Sequence, residues 1–505
     1  SVFVGEQAGY GVTTGNQNIA VGHNAMGGST ATGDNNIAIG FNAGDALTSG
    51  DKNILMGKNA GAAVNTGYLN VVLGHEAMDA GTTNSENIVL GYAALGAADA
   101  GEGGNVVIGN EAGNAINHAD SDANVIIGKS AGQGGAAALR FCTAIGVNAF
   151  QSTGTNAHTG TVSIGGYSNY NVTSGQRNTA VGYQSGYYNA TGDDNTYLGH
   201  FTGTGNGNHS DNTIIGSYAM YTLTSGEANT AVGKDALKAI TTANRNTAIG
   251  FQAMYTEDAD GDRCVAIGYQ ALYSQNGTAE AMANTGLGYN TGYYNVTGRY
   301  NTYIGYLTGV GASGESNSYN TSVGAESMKA ITDGQANVAV GYSVMAAETG
   351  GGDNTAIGQK TLLALTNSTR NTVVGASAMR LMDDTADGLA DCTVVGAQAF
   401  QGSATATTTG ANGTTAIGAF ALQDLTTGTG NTAVGYNSNK ENTGGGYNTS
   451  IGHHTMLVHD GGLRNVAIGA FAMDDTDAGS VSKASDDNVF IGYSAGGGTR
   501  ANQDN

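Results

Sequence analysis

The sequence predicts an all-β fold: a parallel β-solenoid (β-roll) of about 28 coils, mostly with 17 residues in each. Three observations predict it. A glycine recurs at near-constant spacing, a short apolar stretch precedes it, and an asparagine stands four residues before it. A period of this length signals one small structural unit stacked many times.

The glycine sets the register. It stands at Gly5, Gly22, Gly40, Gly57 and Gly74, continues through Gly182, Gly199, Gly216, Gly233 and Gly250, and reaches Gly435, Gly452, Gly469 and Gly492. There are 28 such positions; 16 of the 27 intervals are 17 residues and the rest are 18 to 23. A unit this short cannot bury a core alone, whereas stacked neighbours bury one continuously and pair their backbones. Composition does not shift along the chain, so residues 1–505 read as a single continuous array with no separate cap or globular domain. Helix is disfavoured by 84 glycines and by the lack of any 3.6-residue period.

The strand comes next. The residue before each glycine is Val, Ile, Leu or Met, as at Val21, Ile39, Met56 and Ile491. Two residues earlier stands Val, Ile or Thr, often with a small residue such as Ala38 or Ala248 between them. Alternation ended by glycine describes a short half-buried strand. On this reading the row Thr179, Thr196, Thr213, Thr230 and Thr247 shares parity with the aliphatic residue and faces inward. A second apolar pair, Ala25-Met26 or Ala271-Leu272, forms another short strand or a bend.

Asparagine occupies the fourth position before the glycine in 22 of 28 coils, among them Asn18, Asn178, Asn246, Asn354 and Asn465. Identical amides stacked at strand spacing form a hydrogen-bonded ladder. Cys142, Cys264 and Cys392 stand at this same position, seven coils apart. Seven coils at ~4.8 Å separate them by roughly 34 Å, beyond disulfide reach, so within one chain they are thiols. A longer duplication is superimposed, since GYYNATGDDNTYLG from Gly186 resembles GYYNVTGRYNTYIG from Gly292. Ser1 and Asn505 both fall at ladder positions, in register with the array.

Composition excludes some functions. Lys and Arg number 18 against 40 Asp and Glu, a net charge of −22, which argues against nucleic acid and anionic membrane surfaces. No apolar run approaches the ~20 residues that span a bilayer. No nucleophile–base or paired-carboxylate arrangement can be assembled from spacing, so no enzyme activity and no cofactor are expected. Asp258, Asp260 and Asp262 lie in a tight acidic turn whose hard oxygen atoms suit calcium, but the later acidic ligand of an EF-hand loop is missing and a solvated acidic turn is the preferred reading. His453 and His454 are adjacent, so on a strand they point to opposite faces, which with His459 makes a poor metal site. Tyr or Phe follows the repeat glycine in many coils, including Tyr183, Tyr269, Tyr289, Tyr306, Tyr342 and Tyr436. Stacked along one edge they form an aromatic stripe that stiffens the array or docks sugar faces.

The strings NVAIG at Asn465, NTAIG at Asn246 and NTAVGYQSGYYNATG at Asn178 resemble repeats of phage and cyanophage tail fibres and the head repeats of trimeric autotransporter adhesins. The resemblance covers essentially the whole chain. It implies an extracellular or virion-surface location, a homotrimer, and the shaft of a fibre presenting a receptor-binding tip. The in-register ends point alternatively to head-to-tail stacking into a filament. A glycan-binding solenoid is the third reading.

Overall fold

A computed structural model describes residues 1–28, 30–99, 101–135, 137–256, 261–276, 282–314, 316–381, 388–403, 410–474 and 485–497. Among these residues the regular structure is entirely β, and the architecture is a parallel β-solenoid with about 17 residues per turn. The chain divides into two compact units, Ser1–Ile249 and Gly250–Asn505.

In the first unit, three-residue strands run from Val2–Val4 and Ile19–Val21 to Thr230–Val232 and Thr247–Ile249. Within this unit successive strands pair in parallel, equivalent residue against equivalent residue: Val2 opposes Ile19, and Thr230 opposes Thr247. The bonds alternate in direction, as parallel pairing requires. Ile19 donates its N–H forward to the Asn36 carbonyl at 2.9 Å, and Gly22 donates backward to Val4 at 2.8 Å. In the second unit the same pairing joins Val265–Ile267 to Thr285–Leu287 and, at its far end, Val466–Ile468 to Val489–Ile491.

The repeat glycine ends each strand for two physical reasons. Its φ lies between 128° and 149° in every coil, a region that side chains exclude. A Cβ on Gly358 would also stand 2.7 Å from the carbonyl oxygen of Gly375. The chain then turns further corners on left-handed backbone. In the Gly341 coil these are Ala336, Ser343 and Met345, with φ of 56°, 50° and 49°. No Val, Ile or Thr occurs among the left-handed residues described, since a branched Cβ collides with the backbone there. The Ala25-Met26 pair is one of these bends, both side chains buried and Met26 at φ 50°.

The strand face is the reverse of the sequence expectation. The middle residue points into the coil: Ala20, Leu55, Tyr197, Ala248 and Tyr303 are fully buried. Its two neighbours, the Thr, Val or Ile before it and the aliphatic residue after it, point outward and are half-buried or exposed. The threonine row Thr179, Thr196, Thr213, Thr230 and Thr247 therefore lies on the outer face. The shared parity of the two outer positions holds, but they flank the core residue and do not form the core. The ladder asparagine is buried, and the middle residue, two places on, shares its face.

Size is traded between the strand and the bend. Where the middle residue is Ala, the residue four after the glycine is often large, as in Ala248 with Met254 and Ala266 with Leu272. Where it is Phe or Tyr, that position is Gly: Phe3 with Gly9, Tyr197 with Gly203, Tyr303 with Gly309, Phe490 with Gly496. A Cβ at Gly309 would sit 2.4 Å from the Tyr303 ring. The trade evens out interior volume in these coils, although Ala38 with Gly44 and Ala180 with Gly186 are small at both positions and Ile214 with Met220 large at both.

Candidate functional surface

The ladder asparagines lie inside the coils. Asn18, Asn178, Asn246, Asn354 and Asn465 are at most 1% exposed. Each side-chain oxygen accepts from the following coil: Asn337 Oδ1 takes the Asn354 backbone N–H at 3.1 Å and its amide at 3.0 Å. The amide nitrogens of Asn18, Asn178, Asn354 and Asn465 donate to a carbonyl of the next turn, as Asn337 Nδ2 does to Gly351 at 2.8 Å. Both ends of the buried amide are thus satisfied, as burial demands. Cys142, Cys264 and Cys392 substitute in this interior row as buried thiols, none of them in a disulfide. The Cys142 N–H keeps its bond to Asn124 Oδ1 at 2.9 Å, while its thiol faces the Arg140 carbonyl at 3.2 Å. Burial pushes the Cys142 and Cys392 thiols up to about 11. Such thiols are inert as nucleophiles and poor as metal ligands.

The outer strand face is the largest organised surface. The aliphatic row before the repeat glycine is solvent-exposed in both units, with Met56, Leu198 and Ile249 in the first and Leu287, Ile357 and Ile451 in the second all 36–45% accessible. In the first eight coils the partner row is aliphatic too: Val2, Ile19, Ile37, Ile54, Val71, Ile88, Val106 and Val125. From Thr143 onward threonine predominates there.

The aromatic residues after the repeat glycine are exposed and form short stacks. Phe251, Tyr269, Tyr289 and Tyr306 stack at 5.3, 5.0 and 5.3 Å, with ring planes 8° to 22° apart. Tyr183 stacks on His200 at 5.7 Å and Tyr436 on His453 at 5.5 Å. Tyr342 has Ala325 and Gln359 as its neighbours in the row, so the stripe is segmented. A second row, five residues after the glycine, was not foreseen. Tyr255, Tyr273 and Tyr293 stack at 5.1 and 4.8 Å, with planes within 3° of parallel. The tyrosine at that fixed offset was the signal that would have found it.

Of the acidic turn, Asp258 and Asp260 lie outside the described residues, and Asp262 is 8% exposed. Among the described residues no three His, Cys, Asp or Glu side chains cluster closely enough to hold a metal ion. His453 and His454 do not point to opposite faces. They follow Gly452 in a turn, and their rings stack at 4.1 Å. Desolvation and then the His453 charge lower the His454 pKa. His459 is buried, with Nε2 3.1 Å from the Asn465 amide. Among the described residues no helix is long and apolar enough to cross a membrane.

No protein-family profile and no curated protein matches the chain.

Proposed function

We propose that the chain is a structural, non-catalytic shaft of an extracellular fibre, a phage tail fibre or surface adhesin presenting a receptor-binding tip. Copies of the chain pack together along the outer strand face as a homo-oligomer, a trimer by the resemblance of the repeat. The observation that carries this reading is the aliphatic row standing outside the coils. At ~4.8 Å per coil, the fifteen three-residue strands described in the first unit extend such a row on the order of 70 Å. Isolated soluble chains rarely leave so long an apolar surface in water, and a second copy of the same repeat matches it in register. The interior adds support of a different kind. Its polar groups are spent on ladder bonds between coils, which suits a mechanical element.

Immunogold electron microscopy on the native source, with antibodies raised against residues 1–249, tests the proposal. Label along virion tail fibres or cell-surface fibres is the expected result. Label on free filaments alone, with virions and cells unmarked, would replace it with the head-to-tail polymer.

A further inference from the structure

One cleft in the first unit breaks the regularity of the aromatic rows. In the row five residues after the repeat glycine, Tyr170, Tyr187, Thr204 and Tyr221 occupy successive coils. Tyr170 and Tyr187 stack at 5.0 Å with planes 11° apart. The next coil carries Thr204 instead of a ring, and the ring resumes at Tyr221. The result is a cleft of about 450 Å³ walled by Tyr187 and Tyr188 on one side and Tyr221 on the other. Phe201 stands beside it, 6.4 Å from the Tyr221 ring and stacked on Tyr218 at 5.4 Å.

The backbone keeps the gap open. Thr204 is 7% exposed, and its hydroxyl donates to the Tyr221 carbonyl at 3.2 Å, turning the side chain away from the opening. A Cβ at Gly205 would lie 1.7 Å from the Leu223 carbonyl oxygen, so this segment hugs the next coil only because it lacks a side chain. One coil step in this row is 5.0 Å, so two steps place Tyr187 and Tyr221 ~10 Å apart. A ring inserted midway would sit ~5 Å from each, within the usual stacking range.

We propose that this cleft binds one pyranose ring of a neutral saccharide, which takes the place of the missing aromatic ring in the stack. The chemistry favours a sugar over a flat aromatic molecule. Gln184 and Asn206 line the cleft and offer amides at the edge of the gap, while the Thr222 hydroxyl already donates to the Lys238 carbonyl at 3.0 Å. A sugar presents apolar C–H faces to the tyrosines and hydroxyls to those groups, whereas an apolar ring would leave them unanswered. No charged side chain lines the cleft, so an anionic sugar has no counter-ion in it. The duplicated segment provides an internal contrast. Tyr293 and Tyr294 repeat the first wall, but the following coils carry Val310 and then Lys329 where the cleft has Thr204 and Tyr221. The second wall is specific to the first copy. This site does not depend on the shaft reading.

The test is saturation-transfer-difference NMR on the full chain with the methyl glycosides of glucose, galactose, mannose and N-acetylglucosamine, using p-cresol as a planar aromatic control. At least one glycoside should receive saturation at its ring C–H protons, and Thr204→Tyr and Tyr221→Ala should each reduce that signal at least tenfold. Thr204→Tyr completes the row with a residue that neighbouring coils already accept, so hydrogen exchange should remain native; if it fails to fold, Tyr221→Ala decides. Silence from all four glycosides, wild-type signal retained in the folded variants, or binding of p-cresol alone would overturn the proposal.

Discussion

Replacing Tyr303 by Ala removes a ring that is wholly buried in the second unit and a hydroxyl that donates to Asn317 Oδ1. Deleting a buried aromatic ring costs about 3–5 kcal/mol, and the abandoned Asn317 oxygen adds to that. Gly309→Met alone is also destabilising, because its side chain must enter space held by the Tyr303 ring, 2.4 Å from the Cβ position. The double variant is different. It recreates the Ala–Met pair of the Ala248 and Met254 coil, and φ of 60° at Gly309 lies close to the 48° that Met254 adopts. The two changes should therefore couple by at least ~2 kcal/mol, with the double variant more stable than Tyr303→Ala. A stack of coils can open locally, so native-state hydrogen exchange of the Thr302–Ile304 amides is the suitable assay. Strict additivity of the two single changes would refute the volume-trading account of the interior.

Asn337→Ala strips the Asn354 N–H of its acceptor and the Gly351 carbonyl of a donor, a loss of about 3 kcal/mol, read as roughly hundredfold faster exchange at Asn354. Gly358→Ala forces a Cβ against the Gly375 carbonyl at a φ of 133°, and should open the adjoining pair of coils in the same experiment, whereas Ala at the exposed Gln359 should not. Cys142 and Cys392, with thiols pushed up to about 11, should ignore a thiol reagent at pH 8 until denaturant exposes them. His209 is buried beside the Tyr197 hydroxyl, 3.0 Å away, and desolvation lowers its pKa from 6.5 to about 4. The unfolded chain then protonates first as pH falls, so its contribution is complete above pH 6.5 and is lost on descending to about 4, at about 1.4 kcal/mol per pH unit. His209→Gln should flatten that part of the melting-temperature profile, and an unchanged profile would contradict the assignment.

Much of the architecture was readable in the sequence because a solenoid repeats its constraints. The glycine is needed once per coil for a backbone that no side chain tolerates, so its period survives insertions in the turns. The asparagine is legible for the same reason, since each one answers the next. The facing of the strand was not legible. With only three residues per strand, Val21 and Ala20 are both apolar, and ordinary hydrophobicity assigns the larger to the core. The correct assignment follows from parity with the ladder: Asn18 is buried, and Ala20, two residues on, shares its face. The cleft was hidden for a further reason. It is defined by an absent ring at Thr204, and a gap carries no signal until the row around it is known.

The central claim is that the exposed aliphatic rows are covered by other copies of the same chain. Light scattering coupled to size-exclusion chromatography, on the wild type and on a variant with Ile19, Ile37 and Ile54 each changed to Glu, tests it most directly. The wild-type mass should be a multiple of the single chain, three for the trimer, and the variant should shift toward one chain with its coils intact by hydrogen exchange. A wild-type chain that runs as a monomer at all concentrations would contradict it.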